Sequence, residues 1–206
     1  MLNQRNSQIF FSLLLAVTVY FDWKYQLPFW VYLILLLFYL LVLFYGSYFI
    51  QSDFFIRSLW KGNKQRKAIA LTFDDGPIEN CTPKVLDILK QQQVPASFFV
   101  IGKNIKGNEE VLKRIDNEGH LIGNHSYSHS FWFSVNSSKK MLADLKLCDE
   151  KIFQSIGKRP KFFRPPYGVI NPMVKKAIKK GNYQSIGWSI RTYDTTAKSK
   201  EALLAK

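Results

Sequence analysis

Hydrophobic and polar positions divide the chain into two unlike parts. Between Lys24 and Asp53 lie 28 residues without a charge, and residues 29–50 (FWVYLILLLFYLLVLFYGSYFI) form an apolar or weakly polar run of 22. As a helix rising about 1.5 Å per residue, that run reaches roughly 33 Å, enough to cross a bilayer core. It has no polar face, so a buried core helix is the poorer reading. Pro28 suits a first helical turn, and Trp30, Tyr32, Tyr45 and Tyr48 stand where interfacial aromatics would. An earlier apolar run, residues 9–21, is 13 residues long. It lies between Arg5 and Lys24, and no small-residue cleavage site follows it. We therefore read an uncleaved helical hairpin turning at 22–28, a membrane anchor over residues 1–50 with spans at about 9–21 and 29–50.

From about Lys67 the pattern changes to alternating strands and helices. Residues 68–73 (AIALTF) read as a buried strand. Thr82–Pro83 reads as an N-cap with proline at the first helical position, opening a helix over 84–93. Residues 96–100 predict a second strand, 109–117 a helix ending at Gly119, and 121–124 a short strand. A long amphipathic helix follows over 137–155, with Met141, Leu142, Leu145, Cys148 and Ile152 as its apolar stripe. Residues 161–163 and 184–190 read as strands around a helix over 172–180. Strands alternating with helices predict an α/β fold with a mostly parallel sheet and crossover helices. In a barrel of this kind the chemistry gathers at the C-terminal strand ends. Asp74, Asp75, His125, Arg164 and Asp194 all fall at or just past such ends.

Composition sharpens this division. Eighteen of the 32 aromatic residues fall in the first 60 positions, whereas the charge of +14 is carried almost wholly by residues 51–206, with 27 basic against 14 acidic side chains. Disorder, collagen-like repeats and a disulfide-stapled miniprotein are excluded. Cys81 and Cys148 have no metal-site spacing and read as unpaired thiols. Residues 51–67, with Arg57, Lys61, Lys64, Arg66 and Lys67, read as a basic juxtamembrane linker. A positive-inside count would place that flank in the cytoplasm. The lysine pairs 139–140, 175–176 and 179–180 read as solvated helix faces, and without a nucleic-acid motif beside them no nucleic-acid partner is expected. No protein partner is implied either.

Three short motifs carry candidate chemistry. His125-Ser126-Tyr127-Ser128-His129 places two imidazoles at i and i+4; on one helical turn they would share a face, a spacing suited to a divalent metal. Thr72-Phe73-Asp74-Asp75-Gly76-Pro77 sets two carboxylates side by side, an arrangement in which a metal can take one as ligand and leave the other as base. Arg164-Pro165-Pro166-Tyr167-Gly168 offers a guanidinium to orient a carboxylate and a rigid backbone whose Tyr167 N–H could stabilise an oxyanion. Each motif alone has a plainer reading, as surface or capping histidines, an Asp-Gly turn, or a loop-packing sequence. His120, following a helix-capping glycine, reads as structural.

The order TFDDGP (72–77), HSYSH (125–129) and RPPYG (164–168) resembles the polysaccharide deacetylases with a NodB-homology domain, carbohydrate esterase family 4. The resemblance runs over residues 68–206. It implies a distorted (β/α) barrel and metal-dependent removal of N-acetyl groups from N-acetylglucosamine-containing polysaccharide, such as peptidoglycan or a related envelope glycan. Chitooligosaccharides or another non-peptide amide are alternative substrates, and an inactive glycan-binding module is the non-catalytic alternative. Asp75, His125 and His129 match the family's metal triad, usually zinc and sometimes cobalt. Asp74 matches its base, Arg164 the arginine orienting that base, and Tyr167 the residue whose backbone N–H supports the oxyanion. Asp194 fits the aspartate of a fourth motif, in which Thr195 replaces a usual tryptophan and Arg191 a frequent acidic residue. The family's fifth motif, a Leu-x-His supplying the general acid, is expected beyond Lys206. The resemblance thus implies a domain incomplete at its C-terminus that binds metal with little turnover. The expected partners are an N-acetylated aminosugar polymer and the lipid bilayer. The expected place is the cell membrane, with the catalytic domain facing the envelope, against the charge count.

Overall fold

The computed structural model describes residues 2–63, 65, 67–192, 199 and 201. Two antiparallel helices open the chain, α1 (Gln4–Tyr25) and α2 (Trp30–Tyr48). The Asn3 side chain caps α1 by accepting from the Asn6 N–H at 2.9 Å, and Gln26 ends it in a left-handed conformation (φ 49°). α1 is therefore longer than its apolar run, because capping and the polar turns at each end extend it past residues 9–21. Phe11 packs on Phe38 and Tyr39 of α2, and the Tyr32 hydroxyl donates to Asp22 across the hairpin. Gly46 is the one buried residue of α2.

Five parallel strands follow, in the order β1 (Leu71–Gly76), β2 (Ala96–Val100), β3 (Leu121–Asn124), β4 (Phe162–Phe163) and β5 (Gln184–Ser185). The crossovers are α3 (Thr82–Gln92), α4 (Glu109–Asn117), α5 (Ser138–Ile156) and α6 (Pro172–Gly181). Strand order equal to chain order, with a helix in each crossover, is the parallel α/β pattern read from the sequence. Among the described residues β1 has β2 as its only neighbour, so closure of the sheet into a barrel is not seen there.

Two strands differ from expectation. β1 is displaced to 71–76 and is half-exposed rather than buried, with Leu71 paired to Ala96 as its first partner. β2 begins only after Pro95, which has no N–H to offer, so residues 68–70 find no ladder and Ile69 stays exposed. β5 stops at Ser185 because β4 supplies just two partners. Beyond it, Ile186 bridges to Leu59: the Leu59 N–H donates to the Ser185 carbonyl at 2.9 Å and the Gly187 N–H to the Leu59 carbonyl at 3.0 Å.

The first part of the expected linker is thus packed structure. Ile50, Phe54 and Phe55 are buried with Ile170 and make a third core cluster with Val42, Leu43 and Trp188. The other two clusters divide the buried stripe of α5 along its length. Leu86, Leu89, Phe98, Val100, Leu112 and Ile115 meet its Cys148 and Ile152, while Phe163, Val174 and Ile178 meet its Met141 and Leu145. The helix buries its stripe as the periodicity predicts, with Leu142 only partly covered.

Candidate active site

All the motif residues described here stand at C-terminal strand ends. Adjacent residues of a regular strand point to opposite faces, so Asp74 and Asp75 could not share a site on an undistorted β1. A bulge resolves this: the register with β2 slips between Asp74 and Gly76, and Asp75 adopts φ 68°. The Asn104 side chain donates to the Asp75 carbonyl at 2.8 Å and holds the irregular turn.

The 125–129 segment is not the helical turn expected. Ser126 and His129 both have positive φ (69° and 46°), and the loop is shaped by side chains bonding backbone. Asn124, fully buried at the end of β3, accepts from the Ser126 N–H at 2.7 Å, and Ser126 Oγ accepts from the His129 N–H at 3.0 Å. The Asp144 carboxylate on α5 accepts from the Tyr127 N–H at 2.7 Å and the Ser128 N–H at 3.2 Å. These short polar side chains outcompete helical bonding, as Ser, Asn and Asp commonly do. The imidazoles still converge, with ring centroids 4.9 Å apart.

One donor atom each from Asp75, His125 and His129 lies within 4.8 Å of the others. Asp75 Oδ1 is 3.5 Å from His125 Nε2 and 3.3 Å from His129 Nε2. Although its side chain is half exposed, that oxygen is itself buried and has no hydrogen-bond partner. Ligand atoms on a tetrahedral zinc with bonds of about 2.0–2.2 Å stand about 3.3–3.6 Å apart, so the spacing and the orphaned oxygen both fit such an ion. His125 Nδ1 is 2.7 Å from the Arg164 carbonyl. Donation from Nδ1–H assigns the tautomer and leaves the Nε2 lone pair facing Asp75. Burial, opposed by the charge of Asp74, lowers the His125 pKa and keeps the ring neutral, the state in which imidazole binds metals.

Arg164 enters from the end of β4 and is almost fully buried. Its Nη1 donates to Asp74 Oδ1 at 2.7 Å and Thr72 Oγ1 at 2.8 Å, and its Nη2 to the Gly187 carbonyl at 2.9 Å. The guanidinium lies 4.1 Å from the centroid of Phe99 and 5.6 Å from that of Trp188. Burial lowers its pKa, while Asp74 acts in the opposite direction. Asp74 is thus fixed at one oxygen by a cation that has few other places to go.

Tyr167 sits in a left-handed conformation (φ 59°), and its ring lies 4.9 Å from that of His129. Gly168 follows with φ 73°, where a Cβ would come within 2.4 Å of the Trp188 ring, so glycine is needed both for the turn and for this approach. The Ile170 N–H donates to the Ser47 carbonyl at the end of α2 at 3.0 Å, and Gln51 Nε2 to the Trp188 carbonyl at 2.9 Å. The loop carrying Tyr167 is therefore braced by the N-terminal hairpin.

The structure brings Asp74, Asp75, His125, His129, Arg164 and Tyr167 together; Asp194 lies outside the described residues. His120 stands apart, accepting from the Ala96 N–H at 3.2 Å, in keeping with a structural role. Sequence reasoning missed Thr72, Asn124 and Asp144. Thr72 carried a signal, being two residues before Asp74 and hence on the same strand face. Asn124 and Asp144 carried none beyond their polarity.

A profile of the polysaccharide deacetylase family matches residues 61–186. A peptidoglycan-N-acetylglucosamine deacetylase of Bacillus cereus is 42% identical over 130 residues, covering 63% of this chain and 60% of that protein. The peptidoglycan-N-acetylmuramic acid deacetylase PdaA of Bacillus subtilis is 37% identical over 138 residues, covering 66% and 52%. The solved structure of a peptidoglycan N-acetylglucosamine deacetylase, Bc1960, superposes with a TM-score of 0.66 at 38% identity, covering 71% of this chain and 68% of that one. The matched region thus spans 60% or less of the length of these two curated relatives.

Proposed function

The chain belongs to the polysaccharide deacetylase family, and from that premise we propose that it removes N-acetyl groups from N-acetylglucosamine in peptidoglycan, using a zinc ion held by Asp75, His125 and His129. The observation that carries this reading is the buried, unbonded Oδ1 of Asp75 facing two imidazole nitrogens, next to a second carboxylate fixed by Arg164. A bound zinc ion would supply Lewis-acid polarisation of the acetyl oxygen and of a water.

The remaining roles belong to the chain's own side chains. Asp74 takes the proton of the water that attacks the acetamide carbon; the C–N bond then breaks, releasing acetate and the sugar's amine, which takes up a proton. One of the Asp74 oxygens is occupied by Arg164, so the other is the basic atom, and the guanidinium keeps the carboxylate aimed. The Tyr167 N–H donates to the oxygen that gains charge as the carbon becomes tetrahedral. Its left-handed backbone and its place beside His129 support that assignment. By the family resemblance Asp194 would help to fix either Arg164 or the general acid.

The hairpin adds a location. α2 is long and apolar enough to cross a bilayer by length and composition, and most of its large side chains are exposed. We place α1 and α2 in the membrane and the catalytic domain on the envelope side, where peptidoglycan lies.

The test measures zinc content and acetate release together. Purified chain should carry about one zinc per molecule. Whatever acetate it releases from N-acetylated glycan strands should stop with chelator and return with zinc. Asp75→Ala should lose the metal, and Asp74→Asn should keep it while losing acetate release. Zinc retained by Asp75→Ala would overturn the triad, and full activity in Asp74→Asn would overturn the base.

A further inference from the structure

Beyond residue 50, four aromatic side chains are exposed among the described residues: Phe131, Trp132, Phe153 and Tyr167. Phe153 is covered on one face by the Arg159 guanidinium, 4.6 Å from its ring centroid. The other three are not scattered. Starting from the triad, His129 meets Tyr167 at 4.9 Å, Tyr167 meets Phe131 edge-on at 5.9 Å, and Phe131 meets Trp132 edge-on at 5.1 Å. They form one continuous row leading away from the metal ligands.

The row is held out in solvent rather than left loose. Phe131 is 69% exposed and Trp132 64%, yet the next residue, Phe133, is 3% exposed. It packs in the cluster of Met141, Leu145 and Phe163. The Trp132 N–H donates to Ser130 Oγ and the Phe133 N–H to the Ser130 carbonyl, while Asn136 Nδ2 donates to the Trp132 carbonyl. A turn pinned at Phe133 therefore presents two large rings to water, at a cost in apolar exposure that a partner would relieve.

We propose that Phe131 and Trp132 form a glycan-binding platform, taking the apolar C–H faces of the pyranose rings next to the sugar whose acetamide occupies the triad. The inference rests on the deacetylase reading of that site. Its occupant follows from continuity: a polymer with one acetamide at His129 must run its neighbouring rings over whatever borders His129, and on this side that is Tyr167, then Phe131 and Trp132. A pyranose suits such rings because its hydroxyls point outward from its edge and remain hydrated while its axial C–H face covers the aromatic surface. The platform favours longer glycans, since the rings next to the one at the triad would cover Phe131 and Trp132.

Binding of chitotetraose and of N-acetylglucosamine by the full chain in detergent micelles, by calorimetry, tests this. Wild type should bind the tetramer more tightly than the monosaccharide. Trp132→Ala and Phe131→Ala should each weaken tetramer binding by about tenfold, a loss usual for truncating a well-placed interfacial aromatic. Trp132→Phe should retain most of the affinity, and zinc content should be unchanged in all three. If wild type binds no zinc, the deacetylase reading fails. If zinc is bound but the alanine variants hold the tetramer as wild type does, or wild type does not bind it, the platform is overturned. Quenching by brominated lipid of the emission lost in Trp132→Phe, in reconstituted chain, would place Trp132 in the bilayer and overturn it as well.

Discussion

α2 and α5 have the same length, 19 residues, and opposite surfaces. α5 sends Met141, Leu145, Cys148 and Ile152 inward and its lysines outward, whereas α2 carries no charge and buries one glycine. The backbone is the same in both. In α5 apolar residues recur at helical spacing because only one side leaves water, while α2 has no such period, as befits a helix that we place in the bilayer. The comparison also extends to function. The polar edge of α5 shapes the histidine loop through Asp144, and the last turn of α2 braces the Tyr167 loop through Ser47.

The sharpest way to break the contrast is to exchange what each helix tolerates. Leu145→Ala, at a fully buried position, should destabilise the domain by about 2–5 kcal/mol, read from thermal or denaturant unfolding. Leu36→Arg, on the outward surface of α2, should leave domain unfolding unchanged but oppose membrane insertion by roughly 2.5–3.5 kcal/mol. Carbonate extraction reads that effect, and an unchanged membrane fraction would argue that α2 does not span. Asp144→Ala should loosen the 125–129 loop and weaken zinc binding by about 10- to 100-fold, by competition against a chelating dye, while the domain stays folded.

The smallest effect concerns Asp149, which accepts from Tyr183 Oη at 2.6 Å and from Asn124 Nδ2 at 2.7 Å. Burial raises its pKa, outweighing the two hydrogen bonds that lower it. The unfolded chain therefore releases this proton at a lower pH than the folded one. Stability should fall as pH rises from the ordinary carboxylate range through the raised folded value, then level off. Asp149→Asn should remove that slope from the pH dependence of the melting temperature, and an identical slope in the variant would assign it to other groups.

Much of this was legible in the sequence because strand ends and motif residues coincide. TFDDGP makes up and ends one strand, while HSYSH and RPPYG each follow a short strand, so their convergence follows once the strands are parallel. The local path was harder to read. An i, i+4 histidine pair predicts a helical turn only if the backbone bonds to itself, and here Asn124, Ser126 and Asp144 take those bonds instead. The bulge at Asp75 is equally silent, since Asp-Asp-Gly permits a positive φ without requiring one. Residues 51–67 read as a linker because their charges stand out, but Phe54 and Phe55 within them are buried in a cluster with Ile170.

The bond from the Ile170 N–H to the Ser47 carbonyl bears on reach. A catalytic head on a slack leash would sweep a wide volume above its membrane and meet glycan at many heights and angles. Here the loop three residues past Tyr167 is fastened to the end of a helix we place in the bilayer, so the head stands on a post. On the proposed reading its mouth would keep one height and one bearing, and the polymer would have to move past the site.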